Sequence, residues 1–148
     1  MSSLFLSHAI WQHPQVTSLN RLPMTSLPLF FPTLEEALSD ALGGPEKRDL
    51  SDHPYHKSLK GTWDFILYDN PLSVDERVLD EKNSLSWKPV IVPGSWSIQG
   101  FDKPHYTNVI MPFEDDPPHP PQVNPTGVYR TAFTVDNHWK NRRTVLEV

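Results

Sequence analysis

The amino-acid sequence predicts a mainly β domain preceded by an extended arm and one short helix, and three observations carry that expectation. Apolar and β-branched residues alternate with polar ones in the runs that start at Gly61 and Val128, the period-two pattern of a half-buried strand. Sixteen prolines stand against six glycines in 148 residues, which disfavours long helices and central strands and favours irregular connections. Hydrophobic residues make up 37% of the chain and aromatic residues 11%, too much apolar surface for a fully disordered polypeptide.

Taken in order, residues 1–32 are apolar but interrupted by Pro14, Pro23, Pro28 and Pro32, so no hydrophobic period survives long enough to define an element. They read as an extended arm whose tryptophan and leucines lie against another surface. Leu34 to Leu42 is the helix: Leu34, Ala37, Leu38, Ala41 and Leu42 recur at three and four residues as one apolar stripe, the mark of an amphipathic surface helix. Thr33 is placed to N-cap it, Glu36 to return the bond in a capping box, and Gly43-Gly44-Pro45 to stop it. Residues 46–60 are charged, follow neither period and read as a loop.

The first strand starts at Gly61, where Trp63, Phe65 and Leu67 alternate with Asp64 and Ile66. Residues 74–83 are a polar linker or weak helix, and Val90-Ile91-Val92 is a short strand ended by the Pro93-Gly94 turn. Asn124-Pro125-Thr126-Gly127 is a turn by its own chemistry, since proline fixes one φ and glycine permits a positive one. Val128 to Val135 then forms a strand with Tyr129, Thr131, Phe133 and Val135 on one face. Arg143 to Val148 starts a further strand with no turn to return it, an edge without neighbours, so the domain reads as truncated.

A net charge of -5 gives no electrostatic reason to expect nucleic acid or an anionic membrane as a partner. With no cysteine, disulfides, thiolate catalysis and cysteine-ligated zinc are excluded. The N-terminus lacks a basic region followed by a sustained apolar run, and no stretch holds 18 consecutive apolar residues, so the expectation is a soluble, cytoplasmic protein.

Catalytic motifs are sparse. Glu114-Asp115-Asp116 is a dense acidic cluster, but it abuts Pro117-Pro118 and reads as a solvated loop rather than an acid/base pair. His53-Pro54-Tyr55-His56 places two imidazoles near each other without the helix that makes such spacing useful for metal. No Gly-x-Ser-x-Gly elbow or phosphate-binding glycine loop occurs. Trp63, Trp87, Trp96 and Trp139 could stack on sugar rings, yet core packing is the better reading for Trp63 and Trp96.

Three blocks carry a family likeness. They are His13 to Leu22, Ser58 to Phe65, and a long third block that joins Val92 to Gly100, Pro104-His105-Tyr106-Thr107-Asn108-Val109 and Asn124 to Tyr129. Together they resemble the N-terminal sugar-binding region of glycoside hydrolase family 2 β-galactosidases. The resemblance implies an arm, short helix and loop over 1–57, and over 58–148 a partial, galactose-binding-domain-like β-sandwich of jelly-roll type. It implies substrate binding by Asn108, whose amide suits a hydroxyl that both donates and accepts, with Val109 lining the same pocket. It places no catalytic residue in this chain: the parent enzyme would hydrolyse terminal non-reducing β-D-galactose, as in lactose, with two glutamates of another domain.

No metal or cofactor is expected here, while magnesium and sodium belong by resemblance to the full-length enzyme. The arm departs from the bacterial pattern, because positions that contribute acidic and asparagine ligands to a magnesium site are matched here by Ile10 and His13. The expected partners are a β-galactoside and the remaining domains of a parent enzyme, a homo-oligomer being compatible with the family. Two alternatives stand beside this reading, a subunit-assembly module that restores an arm-deleted enzyme and a fragmentary product without function. Without the resemblance, Asn108 reads as an Asx-turn residue.

Overall fold

The structure is a computed structural model, and it describes residues 9–23, 29–44, 50–51, 53–104 and 119–147. They fall into two compact units, one drawn from the chain up to Leu22 with Gly61–Thr131, the other from Pro23–Lys60 with Ala132–Val148. The chain is mainly β, with a single short α-helix among the described residues.

The first unit is built on a three-stranded antiparallel sheet of β1 (Gly61–Tyr68), β2 (Lys88–Val92) and β3 (Thr126–Arg130), in the order β2-β1-β3. β1 becomes the central strand because it carries the longest run of strand-favouring residues. Its first half pairs with β2, Trp63 opposite Val90 and Phe65 opposite Lys88. Its second half pairs with β3, Phe65 opposite Tyr129 and Leu67 opposite Gly127. Directly opposed residues project to the same side, so Trp63, Phe65, Val90 and Tyr129 share one face. There the core sits: Phe65 is fully enclosed and Val90 is 1% exposed. Phe101, Tyr129 and Trp96 surround the Phe65 ring with centroids at 4.6, 4.8 and 5.6 Å. On the opposite face Arg130 bonds its cross-strand neighbour Asp64 at 3.1 Å.

The polar linker between β1 and β2 forms two 3-10 turns, Pro71–Ser73 and Glu76–Leu79. Asn70 and Ser73 close a reciprocal capping box around the first, and the Asp75 side chain caps the second. In the arm, Ile10–Gln12 makes one further 3-10 turn. Trp11 is half-buried, whereas Leu19 and Leu22 remain exposed.

The second unit holds α1 (Leu34–Gly43). The Thr33 hydroxyl accepts the Glu36 N–H at 3.2 Å, but the reciprocal bond from the Glu36 side chain is not made, so only half of the expected capping box forms. Gly44, with φ 75°, ends the helix. The apolar stripe stays uncovered, with Leu34, Leu38 and Leu42 at 75, 53 and 86% exposure. Elsewhere in this unit the Pro54 carbonyl accepts the Trp139 indole N–H at 2.8 Å and lies 2.6 Å from His138 Nε2. The Arg142 guanidinium covers the Tyr55 ring at 4.5 Å, so residues 54–55 are tied to residues 138–142.

Three sequence expectations are corrected. The strand expected over Val128 to Val135 ends at Arg130, because the chain leaves the first unit after Thr131 and no strand continues the ladder. Alternation reports which way side chains point, not whether a partner exists. Thr126 and Gly127, expected in a turn, are the first residues of β3, and Gly127 has no positive φ. Residues 143–147 form no strand and have no strand partner among the described residues; Val148 lies outside the described residues.

Candidate sugar-recognition site

Asn108 and Val109 lie outside the described residues, as does the acidic cluster Glu114-Asp115-Asp116. What the structure describes is the frame on either side of the segment 105–118, and that frame is built with close tolerances.

The approach begins where β2 ends. The Gln99 side-chain amide accepts the Ile91 N–H at 2.8 Å and donates to the Ile91 carbonyl at 3.0 Å. Gly94 makes room for it, since a Cβ there would lie 2.8 Å from Gln99 Nε2 and 2.9 Å from the Ile91 carbonyl oxygen. The Trp96 carbonyl accepts two backbone N–H groups, from Gln99 at 3.0 Å and Phe101 at 3.2 Å. Gly100 takes the left-handed conformation that this reversal requires, φ 87°. The chain then places Phe101 edge-on against Phe65.

The return is anchored beside the same ring. The Asn124 N–H donates to the Asp69 carbonyl at 3.2 Å, just past the end of β1. The Thr126 hydroxyl donates to the Asn124 carbonyl at 2.9 Å. Gly127 follows, and a Cβ on it would lie 2.3 Å from Trp96 Cζ3 and 2.6 Å from Phe65 Cε2. Its missing side chain is a packing requirement. Both ends of the segment that carries Tyr106-Thr107-Asn108-Val109 are thus rooted against Phe65.

The four tryptophans singled out as candidate sugar platforms all have protein partners. Trp96 stacks on Tyr129 with 24° between the planes, and Trp63 meets Tyr129 edge-on at 6.5 Å. Trp87 lies under the Arg130 guanidinium, 4.0 Å from the ring centre, and its indole N–H donates to Asn83 Oδ1 at 2.9 Å. Trp139 is held by Pro54, as described above. The packing reading of Trp63 and Trp96 therefore fits the structure.

Among the described residues, one surface pair shows a clear electrostatic perturbation. Hydrogen bonding from the Arg77 side chain, then from its backbone N–H, holds the Asp75 carboxyl below its usual range and raises the Arg77 guanidinium. The two imidazoles of His53 and His56 serve the backbone: His53 Nδ1 accepts the Tyr55 N–H at 3.2 Å, and His56 Nδ1 lies 3.2 Å from the Leu50 carbonyl. At the two arm positions considered for metal binding, Ile10 offers no side-chain donor atom and His13 a single imidazole. Among the described residues no group of three His, Cys, Asp or Glu side chains gathers around a common point.

Sequence reasoning missed Gln99 and Gly94. The visible signal was a Pro-Gly turn followed at five residues by a glutamine, but which strand edge the amide would meet could not be read from spacing.

The described frame is a sheet with one aromatic face, against which the stretches before residue 105 and after residue 118 both pack. Residues 56–148 match the family model described as the sugar binding domain of family 2 glycosyl hydrolases, and the chain belongs to that family. It is 40% identical over 129 residues to a β-galactosidase of Pseudoalteromonas haloplanktis, covering 84% of this chain and 11% of that protein. It is 36% identical over 137 residues to a β-galactosidase of Alteromonas mediterranea, covering 90% and 12%, and 38% identical over 128 residues to one of Vibrio cholerae, covering 85% and 11%. The chain thus spans 11 to 12% of the length of these curated relatives, which are much larger β-galactosidases. Among the described residues no helix is long and apolar enough to cross a membrane.

Proposed function

We propose that the chain is the sugar-recognition part of a cytoplasmic β-galactosidase, in which Asn108 bonds a hydroxyl of a terminal β-D-galactose and Val109 lines the same pocket. The common root of the flanking segments against Phe65 carries this reading, because the stretches leading to and from residues 105–118 are both fixed to one buried ring. The family match over 56–148 and the β-galactosidase relatives support it. The amide suits the task, having two donor protons and two acceptor lone pairs, and a site built to bond a hydroxyl strongly rejects an analogue lacking it. Hydrolysis belongs to two glutamates of another domain working by the retaining route. In the division we propose, residues 58–148 form the sugar-binding domain and residues 1–57 the arm, helix and loop before it.

The test is Asn108→Ala in the full-length protein, with affinity for a β-galactoside measured directly. The expected result is a loss of about tenfold or more, the scale of one hydrogen bond to a hydroxyl in a closed site. Unchanged affinity would remove Asn108 from the pocket.

A second reading, subunit assembly, is favoured by the uncovered Leu34, Leu38 and Leu42 stripe of α1. It predicts that Leu38→Asp weakens association, within a homo-oligomer or with an arm-deleted copy, and leaves galactoside affinity intact.

A further inference from the structure

We infer that Pro89 and Gln99 together lock the outer edge of β2 against strand pairing with a second copy of this chain. Among the described residues β2 is a border strand, with β1 on one side only. Ile91 stands opposite Thr62 and Pro89 opposite Asp64. In an antiparallel ladder every second residue turns its backbone N–H and carbonyl away from the partner strand. Both backbone groups of Ile91 meet the Gln99 amide, so residues 89 and 91 face outward, while Lys88, Val90 and Val92 are the positions bonded to β1.

The two outward positions are disabled by different chemistry. Proline at 89 has no N–H to donate, and facing outward it costs the native ladder no bond. At 91 the N–H and the carbonyl are both occupied, at 2.8 and 3.0 Å. Pro93, the first residue past the strand, also lacks a donor. The Gln99 side chain is itself held: its backbone N–H donates to the Trp96 carbonyl at 3.0 Å, Nε2 lies 3.4 Å from the Ser95 carbonyl, and Gly94 leaves it room.

The lock has something to exclude. An exposed edge reading Lys-Pro-Val-Ile-Val is a template for another strand, and the Ile91 side chain is 55% exposed. Two copies of β2 related by a two-fold axis through Ile91 would exchange the same pair of bonds that Gln99 now makes, and would set their Ile91 side chains against each other. Freeing Ile91 alone offers one such pair of bonds. Restoring an N–H at 89 as well makes a ladder.

The test follows self-association of the full-length protein by sedimentation over a range of concentrations, comparing wild type, Pro89→Val, Gln99→Leu and the double variant. Amide hydrogen exchange at Ile91 is recorded in parallel. The Ile91 amide should be protected in wild type and exchange at least tenfold faster in Gln99→Leu, since its bonding partner is gone. Each single variant should change self-association by no more than about twofold, and the double variant should strengthen it about tenfold or more, beyond the product of the two.

Gly127→Ala serves as the control for simple destabilisation, because it strains the same unit at β3 and leaves β2 untouched. Equal association of that control and the double variant would assign the effect to unfolding and overturn the inference. So would unchanged Ile91 exchange in Gln99→Leu, or a folded double variant that sediments as wild type does. Should the double variant fail to fold, Pro89→Val with Gln99→Asn, whose amide is one methylene shorter, decides by the same comparison.

Discussion

The side-chain amide of Gln99 bonds both backbone groups of Ile91, accepting from its N–H at 2.8 Å and donating to its carbonyl at 3.0 Å. A glutamine thereby imitates the backbone of a neighbouring strand along the outer side of β2. Each bond contributes about 1 kcal/mol net, so Gln99→Ala should destabilise the unit by about 2 kcal/mol, read as a lower urea midpoint. Gln99→Glu gives a sharper signature. An ionised carboxylate can still accept the Ile91 N–H but faces the Ile91 carbonyl without a proton, which raises its folded pKa above the unfolded value near 4.3. The variant should therefore approach wild-type stability below about pH 4 and lose it as pH rises through the folded pKa.

Gly127 should accept no side chain. A methyl group there meets Trp96 and Phe65 far inside contact distance, and overpacking of this kind costs typically 1 to 3 kcal/mol. Gly127→Ala is expected at or above about 3 kcal/mol in chemical denaturation. Combining it with Trp96→Leu should recover part of that loss, but not all, since Phe65 remains in the way.

Arg130 joins two interactions on the opposite face of the sheet, the ion pair with Asp64 and the stack on Trp87. Arg130→Lys keeps the charge and loses the planar guanidinium, so the substitution is not conservative at a stacked site. The expected cost is about 1 kcal/mol, much of it from the stack. Raising salt should weaken the wild-type ion pair while leaving the Trp87 fluorescence shift between the two proteins in place.

Asp75 should titrate below the ordinary carboxylate range when followed by carbon NMR, because Arg77 bonds the ionised form. A folded pKa below the unfolded one means that any stabilisation is present above the unfolded pKa and lost as pH falls through the folded one. Since the pair lies at the surface, the effect on unfolding should be slight. Arg77→Ala should return the carboxyl toward its ordinary value.

How far the sequence carried the fold depended on whether each signal was local. Thr33 capping, the stop at Gly44 and the alternation through Trp63, Phe65 and Leu67 are written within a few residues, and each element forms where that chemistry places it. Partnering is not local. Phe133, Val135 and Val145 alternate as strand residues should, yet among the described residues no strand pairs with them and they stay 37 to 50% exposed. Gly127 was legible as a required glycine, but for the wrong cause: the turn argument invoked backbone freedom, whereas the requirement comes from an indole contributed by a residue 31 positions earlier. The candidate site divided the same way. The motif residues rest on resemblance alone, whereas the frame on either side of them depends on contacts between distant segments.

The Gln99 plug also gives the sheet a direction of growth. With Ile91 already engaged on its outward side, a strand approaching β2 would have to evict the amide before pairing. Beside β3, no such plug is found among the described residues. Enlargement of this scaffold, by an added hairpin or by a recombined domain, is therefore steered to the flank that carries Thr126–Arg130.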